Sequence, residues 1–202
     1  MALCRQLLQE NYTVRVLVHR NGRQFEGMSL ARVRGGLDDP DALDKLCAGA
    51  DALFHLAGQI SIGHVREREL WQTNVAGTSN VLKACQRNGL RRLVHFSSVH
   101  AYCAVPHDSV FDESAGPAFA YPYERTKAAA QALVLEANGV AGLETLCLNP
   151  TAVLGPWDYR PSLQGQMVLD LLKGRIPALS PGGFDWVDSR DVALAAVSAL
   201  HK

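Results

Sequence analysis

Short apolar runs alternate along the chain with amphipathic segments. The apolar runs are predicted to form buried parallel strands, because a strand covered on both faces is apolar throughout; they lie at residues 14–18, 52–56, 93–96 and 144–148. Segments with apolar residues three or four positions apart are predicted to form helices, at residues 2–9, 40–48, 66–87, 123–138 and 163–173. This order predicts an α/β fold with a doubly wound parallel sheet and flanking helices.

Two of the predicted helices carry further detail. Gly139 follows the helix at residues 123–138, as expected for a C-terminal cap. The helix at residues 66–87 is predicted to place a mainly apolar set of side chains on one face: Trp71, Val75, Thr78, Leu82 and Cys85.

The beginning of the chain departs from this fold. A doubly wound dinucleotide-binding domain opens with a strand and a glycine-rich turn that brings the pyrophosphate to a helix N-terminus. Here residues 2–9 are already helical, so residues 14–18 would be the second strand. We expect a sheet that lacks its first strand, whose place would be between the second and fourth strands, and that has two open strand edges there.

The composition is that of a neutral globular protein. Of the 202 residues, 48% are hydrophobic, and 20 basic side chains balance 20 acidic ones. This balance argues against binding to nucleic acid or to an anionic membrane surface. The apolar stretches are far shorter than the roughly 20 residues needed to span a bilayer. The 5 cysteines include no Cys-x-x-Cys pair, so we expect a cytoplasmic protein without disulfides and without a metal site.

Tyr123 and Lys127 form the strongest local signal. Positions four apart share a helix face, so the phenol and the ammonium can lie in one pocket. A cation beside a tyrosine favours the phenolate and lowers its pKa toward a range useful for proton transfer. Taken alone, the pair is equally explained as two side chains on a surface helix.

Ser97 and Ser98 end the apolar run at residues 93–96, and active residues of open α/β sheets collect at the carboxyl ends of strands. Ser98 can donate a hydrogen bond to a substrate oxygen as charge develops there. The alternative is a hydroxyl that only ends the strand.

Asn74 interrupts the apolar face of the helix at residues 66–87. A buried amide needs hydrogen-bond partners, so Asn74 is expected either to hold a water or a backbone carbonyl near Lys127, in a proton relay, or to be a structural residue. Ala57 and Gly58 follow the strand at residues 52–56 and form a turn where a cofactor can approach the backbone.

Several short segments, in a fixed order along nearly the whole chain, resemble the extended short-chain dehydrogenase/reductases, also called the NAD-dependent epimerase/dehydratase family. They are residues 54–58 (FHLAG), 74–82 (NVAGTSNVL), 95–98 (HFSS) with Tyr102, Tyr123 with Lys127, 149–156 (NPTAVLGP) and 184–193 (FDWVDSRDVA). The last two segments most resemble the dihydroflavonol-reductase-like branch. The resemblance implies a Rossmann-like fold and an NAD(P) cofactor.

The resemblance also implies roles for individual residues. Tyr123 would be the acid/base, Lys127 would bind the nicotinamide ribose and tune Tyr123, and Ser98 would polarise the reacting oxygen. Ser97 and Pro150 would lie beside the cofactor. Two features depart from the family pattern: the glycine-rich turn is absent, and Gly35-Gly36 stands where a Gly-Asp often contacts adenine, with Asp38 and Asp39 placed too late.

The end of the second strand bears on the choice of cofactor. An acidic residue there would accept a hydrogen bond from the ribose 2′-hydroxyl of NAD. This chain has Arg20 instead, which can pair with the 2′-phosphate of NADP. The sequence therefore favours NADP(H), with NAD as the alternative cofactor. Arg20 would also be explained as a solvent-exposed arginine with no role in cofactor binding.

These features predict an NAD(P)-dependent oxidoreductase that transfers hydride between the cofactor and a small carbonyl or alcohol substrate. Epimerisation or dehydration of a nucleotide sugar is the alternative. The rival of another class is a truncated, non-catalytic fragment. We expect this chain to bind cofactor weakly or not at all, because the glycine-rich turn is missing. The sequence does not identify the substrate.

The predicted organisation has three parts and one interface. Residues 1–155 form an incomplete nucleotide-binding domain, residues 156–183 a partial substrate-binding segment, and residues 184–202 a returning strand and helix of the first domain. The family resemblance suggests a homodimer through the two long helices, although packing on the sheet explains their apolar stripes equally well.

Overall fold

The computed structural model of the chain describes residues 1–60, 66–103, 110–159, 161–178 and 182–201. Its helices are α1 (Ala2–Gln9), α2 (Pro40–Cys47), α3 (Glu67–Leu70), α4 (Gly77–Arg87), α5 (Pro122–Glu136), α6 (Leu163–Leu172) and α7 (Ser189–Ser198). Its strands are β1 (Arg15–Val18), β2 (Ala31–Arg34), β3 (Ala52–His55), β4 (Arg92–Phe96), β5 (Glu144–Leu148), β6 (Ala152–Leu154) and β7 (Trp186–Asp188).

The chain divides into two compact units. The first contains Met1–Val14, Arg20–Ala31 and Pro150–Lys202, and the second contains Arg15–His19 and Arg32–Asn149. The predicted α/β fold, with parallel strands and flanking helices, is confirmed.

The second unit is built around the parallel sheet β3–β4–β5. Leu93, the second residue of β4, is fully buried, and it packs with apolar side chains of α4, α5 and the segment before β5, among them Val81, Val134 and Leu143. Strands enclosed in this way lose contact with water on both faces, and this explains why Leu93 and Val94 are both buried and apolar without alternation. The sheet thus anchors the carboxyl end of β4 rigidly.

β1 and β2 form a separate two-stranded sheet, beside which α2 packs. Arg15 at the start of β1 donates to the backbone carbonyls of Lys45, Leu46 and Ala48 at the end of α2, at 2.8 to 2.9 Å. Among the described strands this sheet has no ladder to β3–β4–β5, and the expectation of a missing first strand stays a prediction.

The helix predicted at residues 66–87 is interrupted by a π-helical segment, Trp71–Ala76, between α3 and α4. Thr78, Leu82 and Cys85 are buried as predicted, but Trp71 is 39% exposed and Val75 is half-buried. The prediction that all five side chains share one face is therefore wrong for Trp71 and Val75, the first two of them. A π segment holds more residues in each turn than an α-helix, so it rotates the residues before it relative to those after it.

In the first unit, α1 packs against α7, and Tyr12 Oη lies 3.0 Å from His201 Nε2. β6 pairs with β7 in parallel, with Val153 opposite Val187. The Ser162 hydroxyl caps α6 by accepting from Gly165 N at 3.0 Å. Among the helices of the described residues, none combines the length and the apolar character that crossing a membrane requires.

Candidate active site

The predicted catalytic side chains come together where β4 ends. Ser97 and Ser98 follow Phe96, the last residue of β4, while Tyr123 lies in the first turn of α5 and Lys127 in its second. α5 begins there because Pro122 occupies its first position and the Glu124 carboxylate accepts from Tyr121 N at 3.2 Å. Both features hold Tyr123 at a well-defined helix N-terminus.

Lys127 is buried, with only 7% of its surface exposed. Its Nζ donates a 2.9 Å hydrogen bond to the backbone carbonyl of Phe96. Burial lowers the pKa of Lys127 to about 8, because the charged ammonium loses solvation. The Lys127 side chain is therefore mostly protonated at neutral pH, but it loses its proton at a pH only slightly higher.

Tyr123 is perturbed in the opposite sense. Burial raises the pKa of the Tyr123 phenol, and hydrogen bonding with the Ser98 side chain offsets part of that rise by lowering it. The net pKa of Tyr123 lies above its ordinary value because desolvation of the phenol dominates, and the expected influence of Lys127 on Tyr123 stays a prediction. Tyr123 is thus a protonated acid at neutral pH.

Ser98 opens a short 3₁₀ turn over Val99–Ala101, and its hydroxyl accepts from His100 N at 3.2 Å. The His100 ring meets the Tyr123 ring edge-on, with 6.2 Å between their centroids. Ser97 is held by a 2.8 Å bond from its N to Leu148 O, and its buried hydroxyl has no partner among the described residues. The turn therefore aims Ser98, rather than Ser97, at the phenol.

Asn74 is buried in the π segment and fully hydrogen-bonded. Its Oδ1 accepts from Gln59 N at 2.7 Å, and its Nδ2 donates to Gln59 O and to Thr126 Oγ1, both at 3.0 Å. Thr126 in turn donates to Tyr123 O at 2.8 Å. Asn74 does hold a backbone carbonyl, as one prediction had it, and among the described residues its bonds run to Gln59 and Thr126, with none to Lys127.

Ala57 and Gly58 are exposed in the turn that Asn74 holds. A Cβ at Gly58 would lie 3.4 Å from Asn74 Oδ1, so the turn passes close to the helix. Arg20 is exposed after β1, and Pro150 directly follows Asn149 after β5. Asp39 is engaged as the cap of α2, where its carboxylate accepts from Ala42 N at 3.0 Å.

A row of polar side chains crosses the central sheet beneath α5. His55, His95 and Cys147 are register partners on adjacent strands, and the two imidazole centroids are 5.1 Å apart. Thr78 donates to Asn74 O at 2.6 Å, so its oxygen can only accept from His55, which fixes the Nε2–H tautomer at 2.9 Å. Burial lowers the pKa of His55 to about 4 and that of His95 to about 2, so both rings are neutral.

Gln131 and Asn149 were not assigned individual roles from the sequence. Asn149 Nδ2 donates to Ser98 O at 2.9 Å and to Gln131 Oε1 at 2.6 Å. Two signals point to them: Gln131 is a polar residue one turn after Lys127 on the same helix face, and Asn149 follows β5 at its carboxyl end, as Ser98 follows β4.

A parallel α/β sheet with a tyrosine, a lysine and a serine at one strand end is typical of short-chain dehydrogenase/reductases. Comparison with known proteins agrees: the model of the NAD dependent epimerase/dehydratase family matches residues 1–202. "Sterol demethylase protein B" of Methylococcus capsulatus is 36% identical over 99% of this chain and 62% of its own length. A Synechocystis protein named "Putative dihydroflavonol 4-reductase" is 33% identical over 99% of this chain and 59% of its own.

The fold comparison gives the same answer. The crystal structure of UDP-glucose 4-epimerase from Thermus thermophilus in complex with NAD superposes with a TM-score of 0.84 at 25% identity, over 100% of this chain and 70% of that one. The chain belongs to the NAD-dependent epimerase/dehydratase family, as its sequence motifs predicted. It spans 62% and 59% of the two curated relatives' lengths.

Proposed function

We propose that the protein is an NADP(H)-dependent oxidoreductase that reduces a small carbonyl compound or oxidises the corresponding alcohol. The observation that carries this proposal is the grouping of Ser98, Tyr123 and Lys127 at the carboxyl end of β4, with Lys127 Nζ bound to Phe96 O at 2.9 Å. The family and its named reductase relative support it.

The described residues fit the nicotinamide-ribose half of the cofactor. The buried Lys127 ammonium uses one N–H for Phe96 O and retains donors for ribose hydroxyls. Gly58 leaves the backbone of its turn open to a close approach, and Ser97 and Pro150 complete the proposed contacts. When bound, the nicotinamide supplies or accepts the hydride.

Each proposed catalytic side chain has a separate role in the reaction. Tyr123 donates its phenolic proton to the substrate oxygen during reduction, and its raised pKa keeps that proton in place beforehand. Ser98 donates a hydrogen bond to the same oxygen as negative charge develops. The Lys127 ammonium stabilises the phenolate that Tyr123 becomes. Asn74 holds the turn at Gln59 against α5.

Arg20 is the proposed reader of the cofactor's 2′-phosphate. Its guanidinium is exposed after β1 and free to form the planar, paired hydrogen bonds that phosphate favours. This assignment selects NADP(H) over NAD.

The deciding experiment titrates the purified chain with NADPH and with NADH, following nucleotide fluorescence and thermal melting together. We expect weak but saturable binding, a raised melting temperature and a preference for NADPH. Tyr123→Phe serves as a control that retains binding and loses turnover of a probe carbonyl. A folded protein that binds neither nucleotide would overturn the proposal and favour the non-catalytic fragment.

A nucleotide-sugar epimerase or dehydratase is the second candidate, favoured by the similarity to the UDP-glucose 4-epimerase bound to NAD. It would use the same side chains but keep its cofactor through the cycle. Conversion of UDP-glucose with NAD present in catalytic amount, without net NADH production, would support it over the reductase.

We further propose a homodimer through α3, α4 and α5. A shallow groove on this helical face is lined by Trp71, Val75 and Leu133, with polar side chains around them: Arg68, Gln72 and Ser79. Trp71→Glu should convert a dimer to a monomer in sedimentation velocity, whereas Leu169→Glu, a change at a similarly exposed position on α6, should leave the dimer intact. An unchanged dimer in Trp71→Glu would contradict this interface.

The division into a nucleotide-binding part (1–155 with 184–202) and a substrate-binding segment (156–183) stays a prediction, as does the cytoplasmic location. Limited proteolysis with and without NADPH tests the first, since a bound nucleotide should protect only the nucleotide-binding part.

A further inference from the structure

The Asn149 side chain connects two elements of the proposed active site. Its Nδ2 donates both hydrogens, one to Ser98 O at 2.9 Å and one to Gln131 Oε1 at 2.6 Å. Ser98 O is a backbone acceptor, so the facing atom of Asn149 must be nitrogen, and Gln131 must then present its oxygen. The orientation of both amides is thereby fixed by the Ser98 carbonyl.

This bridge lies next to a second attachment between the same elements. Lys127 and Gln131 are one turn apart on α5 and share a face. Lys127 bonds to Phe96 O, and Gln131 reaches Ser98 O through Asn149. Two attachments fix both the distance between α5 and the end of β4 and the rotation of α5 about its axis, whereas a single attachment would fix only the distance.

The bridge also shapes the turn that carries the Ser98 hydroxyl. Ser98 O accepts from Ala101 N at 2.9 Å in addition to Asn149, so both of its lone pairs are used and the peptide that follows Ser98 has one orientation. Gln131 is buried, with 6% of its surface exposed, so the bridge competes little with water.

We propose that Gln131 and Asn149 are positioning residues that hold the Ser98 hydroxyl within hydrogen-bonding reach of the Tyr123 phenol. Neither side chain is assigned a contact with the substrate oxygen or with the cofactor, and both act through Ser98. The role rests on the proposed function for its catalytic meaning, but the geometry it asserts can be measured without turnover.

The test uses Asn149→Asp, which keeps the size of the side chain but replaces both donated hydrogens by a charged acceptor. Gln131→Met removes the acceptor at the other end of the bridge and serves if Asn149→Asp does not fold. Asn138→Asp is the matched control: Asn138 Oδ1 accepts from Thr145 N at 2.9 Å at the far end of α5, and an aspartate can still accept there.

The first measurement is a ¹³C NMR titration of tyrosine-labelled protein, in which Tyr123→Phe assigns the Tyr123 signal. Loss of the bridge should weaken hydrogen bonding from Ser98 and move the pKa of Tyr123 upward in Asn149→Asp and Gln131→Met. Asn138→Asp should titrate as the wild type does. An unchanged Tyr123 titration in both folded bridge variants overturns the proposal.

The second measurement is NADPH oxidation with 4-nitrobenzaldehyde as the probe carbonyl. We expect kcat to fall about 10- to 100-fold in the bridge variants, as small displacements of reacting groups do, with KM for NADPH little changed. The double variant should be no worse than the poorer single variant, because both break one bridge. If the wild type itself shows no turnover, the proposed function fails, while the Tyr123 titration still decides the positioning role.

Discussion

Lys127 Nζ donates a 2.9 Å hydrogen bond to the backbone carbonyl of Phe96, the last residue of β4. The ammonium is buried, and its pKa is lowered to about 8 by the loss of solvation. A buried charge with a single partner among the described side chains and backbone groups costs stability. The buried Lys127 ammonium is therefore expected to reduce the stability of the fold, a cost that its proposed role would explain.

The first prediction follows from that cost. Lys127→Met should leave the free energy of unfolding unchanged or raise it by about 1–2 kcal/mol, because an apolar side chain suits the site and only one hydrogen bond is lost. Turnover should fall at least about 100-fold. Lys83→Met, on the exposed side of α4, is the control that should alter neither; denaturant unfolding and NADPH oxidation measure both effects. A clear loss of stability in Lys127→Met would contradict the argument.

The second prediction concerns the alkaline limb of the pH–rate profile. In the reducing direction Tyr123 must be protonated, so kcat should decline as the pH rises through the pKa of Tyr123. Hydrogen bonding with Ser98 lowers that pKa. Ser98→Ala should therefore reduce kcat and move this limb to higher pH, whereas movement to lower pH would contradict the assigned interaction.

The third prediction tests the cofactor preference. Arg20→Glu should weaken NADPH binding roughly 10- to 100-fold, which corresponds to the loss of charge-assisted hydrogen bonds to a phosphate, and should leave NADH binding nearly unchanged. Arg23→Glu, in the short 3₁₀ turn that follows, is a control of equal charge. Equal losses for both nucleotides, or in both variants, would exclude Arg20 as the specific reader.

The fourth prediction is lability in mild acid. His55 and His95 have folded pKa values of about 4 and about 2, both below the ordinary value of 6.5. Below pH 6.5 the unfolded chain binds protons that the folded chain does not, so stability is present above that pH and is lost as the pH falls toward 4. With two such groups, the slope approaches about 2.7 kcal/mol per pH unit.

Urea unfolding at a series of pH values between 7 and 4 would measure this slope. His95→Gln should halve the contribution of the pair, while His100→Gln, at an exposed histidine, should leave the slope as it is. A pH-independent free energy of unfolding over this range would show that the imidazoles are not protonated on unfolding as argued.

Sequence patterns predicted the strands that contain an apolar run and missed the strands that lack one. Residues 144–148 were predicted as a strand and form β5, whose apolar run Leu146–Leu148 gave the signal, although Glu144 is exposed and the other four residues are half-buried. β2 was missed because Arg32 and Arg34 alternate with Ala31 and Val33, and such a strand has no apolar run to signal it. The three-residue β6 is too short to show any period.

At the candidate site, the features that depend on local spacing could be predicted from the sequence, and those that depend on long-range packing could not. The four-residue spacing of Tyr123 and Lys127 fixed their common helix face. The bridge from Gln131 to Asn149 joins residues 18 apart on different elements, so it depends on how α5 packs against β5. The raised pKa of Tyr123 likewise follows from burial, which spacing does not encode.

The π segment Trp71–Ala76 has a consequence for the tolerance of this site to changes in chain length. It is equivalent to one surplus residue inside an otherwise α-helical stretch, and deletion of Gln72 would let the helix close into regular α geometry. Because the π segment accommodates its surplus residue by widening the turn, the residues on the two sides of the deletion would keep their relative orientation. A single lost codon, with every proposed catalytic side chain intact, would thus narrow the turn that carries Asn74 and change the position from which its amide reaches Gln59.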